Sequence, residues 1–189
     1  MSEAWIEDPV LRQRYRFTRS ADPDRGEVLH VHMQVEPGGG VTPHVHPAME
    51  ERFTVLAGRL ELLAGRTWSE AGPGETVVVS PGTRHAFRNR GDVRVEVRAD
   101  ARPPSSLQAF LTEVAALSRA GRFTARGLPR GFDAALLMAA LVERHREMVV
   151  LGFPPMPPEP LQRLLLPPLS RLRGFGLRSS QARTSGRRH

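Results

Sequence analysis

The sequence predicts a mostly β protein, an antiparallel sandwich or barrel followed by an α-helical extension. Three observations predict it. Short strand-like runs, set apart by glycine and proline turn signals, fill residues 11–99. The apolar pattern then changes from period two to a helical period after Arg102-Pro103-Pro104. Finally, 189 residues, 40% of them hydrophobic, suffice for one ordinary domain with extensions and a proper core.

The elements follow in order. Arg14 to Thr18 alternates weakly. Val28 to Val35 alternates cleanly, with Leu29, Val31, Met33 and Val35 on one face and Val28, His30, His32 and Gln34 on the other. Pro37-Gly38-Gly39-Gly40 breaks the chain. Phe53 to Leu56 and Arg59 to Leu63 are strand-like around Gly58, and Ala64-Gly65 reads as a hairpin turn. Thr76 to Val79 is a β-branched run between two Gly/Pro turns, and Val93, Val95 and Val97 alternate with arginine and glutamate.

Beyond Pro104, Ser105 is the expected N-cap of a helix whose stripe is Leu107, Phe110, Leu111, Val114 and Leu117, ended by Gly121. A second helix is expected from Asp133, as N-cap, to about Val149, with Leu137, Met138, Leu141 and Met148 on its buried side. Residues 152–160 hold five prolines and exclude regular structure. A short helix is expected near Leu161 to Leu166, and the polar segment from Ser179 to His189 is expected to be disordered. The organisation is thus 1–101 barrel with N-terminal strand, 102–150 helical extension, and 151–189 proline-rich segment and basic tail.

A net charge of +7 suggests a nucleic-acid binder until the chain is divided. Residues 161–189 carry seven arginines and no acid, so the remaining 20 basic residues balance all 20 acids in 1–160. The body is neutral and no nucleic acid is expected as partner. The tail is read as solvated, with a few leucines docked, rather than as a membrane or polyanion binder; its paired prolines interrupt any long amphipathic helix. Cysteine is absent, which excludes disulfides, thiolate metal sites and cysteine nucleophiles. No apolar leader and no run of about 18–20 apolar residues is present, so a cytoplasmic protein is expected.

The chemistry concentrates in two blocks. The first reads Gly38-x5-His44-x-His46-x4-Glu51-x6-Gly58, and the second Gly74-x5-Ser80-x-Gly82-x2-His85-x3-Asn89. Together they resemble the paired motifs of the cupin superfamily over roughly residues 25–99. The family pattern has proline where this chain has Ser80, with Pro81 one place later, a departure that touches a turn and no ligand. The resemblance implies a double-stranded β-helix, or jelly-roll, cupin barrel with the metal inside near one mouth and two helices packed outside. It also implies homodimers that pair through sheet edges and exchange N-terminal strands.

The residues by themselves read the same way. His44 and His46 share one face of a strand, and a turn or bulge at residues 47–50 must reset the phase for Glu51. His85 arrives from another strand with Phe87 on its side. Three imidazoles and a carboxylate make a mixed N/O site for one divalent transition-metal ion: Fe, Mn, Ni, Cu, Co or Zn. Phe53, Val55 and Phe87 are the expected substrate-pocket residues. His30 and His32 repeat the His-x-His spacing without the following acid and read as an outer sheet face. His145 reads as a surface residue, and Tyr15, the only tyrosine, as outside the pocket.

The first expectation for function is an oxygenase of the dioxygenase type acting on an enol- or phenol-like small molecule, with Glu51 as ligand and base. The alternatives are a non-redox metal-dependent cyclase, isomerase or lyase, and a non-catalytic ligand-binding barrel. Neither expected helix carries a recognition-helix pattern, which weakens a DNA-binding regulator.

Overall fold

The computed structural model describes residues 4–23, 26–125 and 127–151, together with 161, 164, 165, 167 and 168. Its strands are β1 (Ile6–Asp8), β2 (Gln13–Asp22), β3 (Gly26–Val35), β4 (Gly40–Val45), β5 (Glu50–Ala57), β6 (Leu60–Ala64), β7 (Thr67–Ala71), β8 (Thr76–Val79), β9 (His85–Arg88), β10 (Val95–Arg102) and β11 (Val150–Leu151). Helices α1 (Leu107–Arg119) and α2 (Gly131–Arg144) lie between β10 and β11 in the chain. One sheet has the order β1-β2-β3-β10-β5-β8 and the other β11-β4-β9-β6-β7, every pairing antiparallel.

Period-two alternation decides which side chains enter the barrel. In the first sheet, Tyr15 pairs with Met33 and Phe17 with Val31, while Val97 and Ala99 of β10 stand opposite Met33 and Val31 on one side and Val55 and Phe53 on the other. All eight are buried and belong to one hydrophobic cluster. Glu51 occupies the same inward row, opposite Ala101 and Val79. A carboxylate placed there must be compensated from within the barrel.

Two motif glycines serve close approach rather than turns alone. Gly40 pairs with Arg88, and a Cβ there would collide with the backbone of Phe87 and Arg88, so only glycine lets β4 lie this close to β9. Gly82 adopts φ +76° and donates its N–H to the His46 carbonyl, tying the His85 turn to the other histidine strand. Asn89, the last motif residue, is a buried strut: its amide donates to the carbonyls of Val35 and Val93.

The C-terminal half departs from expectation in four places. Ser106, not Ser105, is the N-cap of α1, because Ser105 takes a positive φ of 45°. Helix α2 starts at Gly131 and stops at Arg144; residues 145–148 turn, and the β-branched run that follows becomes β11. β11 pairs with the edge strand β4, Val150 opposite Val45 and Leu151 opposite His44, which satisfies an edge otherwise left open. The buried side of α2 is Ala134, Ala139, Leu141 and Val142; Met148 is buried too, but on the turn beyond the helix. Finally, α1 does not merely pack outside. It docks on the N-terminal strands through two polar anchors, Ser118 Oγ to Asp8 Oδ1 (2.7 Å) and Tyr15 Oη to the Leu111 carbonyl (2.8 Å), and so covers one end of the barrel.

Residues 152–160 and 169–189 lie outside the described residues. Of the short helix expected at 161–166, residues 161, 164 and 165 are described and are helical.

Candidate metal centre

The topology brings together the four side chains that the two motif blocks hold apart in sequence. His44 and His85 are direct cross-strand partners on β4 and β9, His46 follows one pleat beyond His44, and Glu51 projects from β5 in the opposing sheet. One potential ligand atom from each lies within 4.8 Å of every other. His46, Glu51 and His85 are buried at 3%, 5% and 2% exposure; His44 is half-buried.

Backbone carbonyls fix the tautomer of all three imidazoles. Nδ1–H of His44 donates to Thr42 (2.9 Å), that of His85 to Thr83 (2.9 Å) and that of His46 to Met148 (2.7 Å). Each Nε2 is therefore a bare lone pair. Glu51 Oε2 stands 2.8 Å from Nε2 of His85 and 3.5 Å from Nε2 of His46. Both Glu51 Oε2 and His85 Nε2 are buried without a hydrogen-bond partner. Two acceptors facing each other in a buried site repel unless a cation lies between them. Adjacent donors each about 2.1 Å from one ion lie roughly 3 Å apart in an octahedral arrangement and wider in a tetrahedral one, close to the 2.8 Å and 3.5 Å found here.

The electrostatics agree. Burial pushes the Glu51 carboxyl up, but contact with His85 and attraction to the three imidazoles outweigh it, and the net direction is down, toward carboxylate. Burial, with the neighbouring His85 and His46, lowers His44 to about 3, and burial lowers His46 as well. Neutral imidazoles beside an ionised carboxylate are the ligand forms a divalent cation requires.

Three of the four donors, His44, His46 and Glu51, open on a cavity of about 90 Å³. Its walls are mostly apolar, with Val31, Met33, Phe53, Phe87 and Ala99 from the barrel and Leu107, Phe110, Leu111, Val149 and Leu151 from the extension. Phe53 and Phe87 line this cavity with their rings 5.8 Å apart. Val55 is fully buried in the core and does not line the cavity. Tyr15 does line it, contrary to expectation, because β2 lies beside β3 along its whole length; its hydroxyl is held by Leu111 and burial raises its pKa. Gln13, another polar lining residue, spends its amide on the Gly40 carbonyl (2.9 Å).

His30 and His32 face outward, as read from the alternation, and Glu50 turns away from the donors to pair with Arg52 (2.8 Å). Arg88 pairs with Glu61 (2.5 Å) on the outside. His145 is not a surface residue: it is 4% exposed and its Nδ1 meets Ser106 Oγ at 2.7 Å, pinning the end of α2 to the start of α1. The extension's contribution to the cavity was missed in the sequence. The signal was the apolar run Met148-Val149-Val150-Leu151 before Gly152, which suits a strand better than a helix end.

No curated protein sequence matches the chain. Several solved structures resemble it: the cupin domain of Schizosaccharomyces pombe Cnp3 (13% identity, 64% of this chain and 76% of that one, TM-score 0.46), KdgF from a Halomonas species (16%, 56% and 91%, 0.47), and a predicted oxalate decarboxylase from Thermotoga maritima (19%, 47% and 92%, 0.38). At these identities and scores the likeness carries no chemistry across. Residues 31–99, which span β3 to β10 and hold all four donors, match the family model described as cupin domain. With its two antiparallel sheets and its group of three histidines and one glutamate, the segment 31–99 of this chain carries a cupin domain.

Proposed function

We propose that this protein is a metal-dependent oxygenase of the dioxygenase type, acting on a small, largely apolar molecule that carries an enol or phenol oxygen. One observation carries the reading: His44, His46 and Glu51 open on a mostly apolar cavity in which the other hydrogen-bonding groups are largely committed to backbone carbonyls. A divalent transition metal held by His44, His46, Glu51 and His85 supplies Lewis-acid polarisation of a substrate oxygen and, where redox-active, electron transfer to dioxygen.

The chain's own residues do the rest. Glu51 is the one carboxylate lining the cavity among the described residues, and Oε2 is placed to take the proton of a substrate hydroxyl. The Thr42, Thr83 and Met148 carbonyls keep the three rings from rotating as that proton moves. Phe53, Phe87, Phe110 and Leu111 exclude water and match the flat faces of an aromatic or enolic ligand.

Oxygen consumption by iron-, manganese-, nickel- and copper-loaded protein over a panel of phenols and β-diketones tests this reading. Uptake that depends on both metal and one substrate class supports it. Turnover of the panel without oxygen uptake replaces it with a non-redox cyclase, isomerase or lyase. Ligand binding with no turnover at all leaves a binding barrel.

We also propose a cytoplasmic homodimer. β1 and β8 are the open edges of the larger sheet, and Val78 on β8 is 44% exposed. Light scattering that gives a monomer mass would remove the dimer. No helix among the described residues is long and apolar enough to cross a membrane.

A further inference from the structure

We propose that the outer face of the six-stranded sheet carries a second, metal-independent site, a Ser20–His30–Asp100 charge relay that hydrolyses small acyl esters. The three residues come from β2, β3 and β10, adjacent strands of one sheet. Asp100 Oδ1 lies 2.6 Å from Nδ1 of His30, and Nε2 of the same ring lies 2.8 Å from Ser20 Oγ. The order of these contacts fixes the protons. A carboxylate can only accept, so Nδ1 carries the hydrogen, Nε2 is the acceptor, and the Ser20 hydroxyl donates to it. That is the polarity a nucleophilic serine needs: general base on the hydroxyl, carboxylate behind the base.

Register explains how a flat sheet produces this line. His30 pairs directly with Asp100 on one side and with Thr18 on the other, and Ser20 stands one pleat beyond Thr18, opposite Val28. His30 and Asp100 point away from the barrel, since their chain neighbours Leu29, Val31, Ala99 and Ala101 are buried inside it, and the exposed Ser20 meets His30 on that outer side. The relay and the metal centre therefore occupy opposite faces of the same sheet.

Two further features separate this group from an ordinary cross-strand polar network. A hollow of about 210 Å³ lies over it, lined by Ser20, His30, Glu50, Arg52, Asp100 and Arg102. Ser20 is exposed to that hollow while the His30 and Asp100 side chains are only 25% and 19% exposed, so the nucleophile is reachable and its base is sheltered. Arg52 and Arg102 also line the hollow, Arg52 with its guanidinium paired to Glu50. Asp100 is also held by Arg98 at 3.2 Å, which orients it behind the ring.

The step balances with water as the only co-reactant. Ser20 Oγ forms a bond to the carbonyl carbon as His30 Nε2 takes its proton. The ester C–O bond then breaks, and the alkoxide leaves as alcohol with that proton. Water, deprotonated by the same nitrogen, attacks the acyl-serine, releases the carboxylic acid and restores the hydroxyl.

The test treats full-length protein with diisopropyl fluorophosphate, maps the adduct by peptide mass spectrometry, and follows p-nitrophenyl acetate hydrolysis in parallel. The expected adduct is on Ser20, and its formation slows by roughly 100-fold in His30→Ala, the scale of a lost general base. Ester hydrolysis above the imidazole background is lost in Ser20→Ala and falls in Asp100→Asn. Unchanged thermal unfolding of Ser20→Ala shows that the barrel is intact, as expected for an exposed serine. If Ser20 is unlabelled, or labelled no faster than the exposed Ser69, or if Ser20→Ala hydrolyses the ester as wild type does, the relay is only a structural network.

Discussion

The carbonyl oxygen of Met148 accepts a 2.7 Å hydrogen bond from Nδ1 of His46, joining residues 102 apart in the chain. The bond is buried, and it makes the C-terminal extension part of the candidate metal centre: the turn that presents Met148 is capped by His145, whose carbonyl accepts from the N–H groups of Met148 and Val149 and whose ring is fixed by Ser106. His145→Ala should therefore weaken metal binding without touching a ligand, by about 10-fold or more on the scale of lost orienting contacts. Competition titration against a chromogenic chelator checks it. Ser106→Ala, which removes the same anchor from the other side, should show the smaller loss in the same direction.

The bare acceptors Glu51 Oε2 and His85 Nε2 predict that the ion contributes directly to stability. Ligand bound only to the folded state stabilises by RT ln(1 + [L]/Kd), about 2.7 kcal/mol at one hundred times Kd. Chelation should lower the unfolding temperature of wild-type protein. His85→Ala should start lower and be insensitive to chelator. Equal melting of wild-type protein with and without chelator would remove the ion from the ledger.

Ala99 lies at the centre of β10, 2% exposed and on the cavity wall. Ala99→Leu projects a larger side chain into a space of about 90 Å³ without altering a ligand. Overpacking of this kind costs about 1–3 kcal/mol, less where empty volume accepts the new atoms. The variant should keep its metal by elemental analysis yet lose binding of a catechol probe by at least about 10-fold. Catechol binding at wild-type strength would place the substrate elsewhere.

Tyr15 gives a pH prediction with a definite sign. Burial, assisted by the Asp8 carboxylate and opposed by Arg119, raises its pKa in the folded protein. Below pH ~10 the phenol is neutral in both states and contributes no pH dependence. Above it the unfolded chain releases a proton that the folded chain keeps, so stability falls as pH rises, by at most about 1.4 kcal/mol per unit. The chain has one tyrosine and no lysine, so few other side chains titrate there. Tyr15→Phe should lose about 1 kcal/mol at neutral pH, with its bond to Leu111, and show a flatter alkaline decline. Urea unfolding at neutral pH and at pH ~10–11 measures both.

Much of the barrel was legible because strands announce themselves locally. The alternation of Val28 to Val35 fixed which face enters the core, and the motif spacing recorded turns that only certain residues make, as at Gly82. Three elements were less legible. β1 is three residues long, too short for a period to show. The end of α2 was placed too late, since Val149 and Val150 continue the apolar pattern of the helix and only the pairing of Val150 and Leu151 with β4 makes a strand there. His145, a polar residue near a helix end, gave no local sign that Ser106 would meet it.

By itself, then, the sequence determined the candidate donor group of His44, His46, Glu51 and His85 and the sidedness of the strands, because residue type and motif spacing already dictate donor chemistry and direction. Tertiary structure alone decided how the centre is enclosed. That Tyr15 turns into the cavity, that Leu111 and Leu151 close it, and that a carbonyl of Met148 orients His46 are consequences of which distant surfaces meet, and no local period in the chain encodes a meeting of that kind.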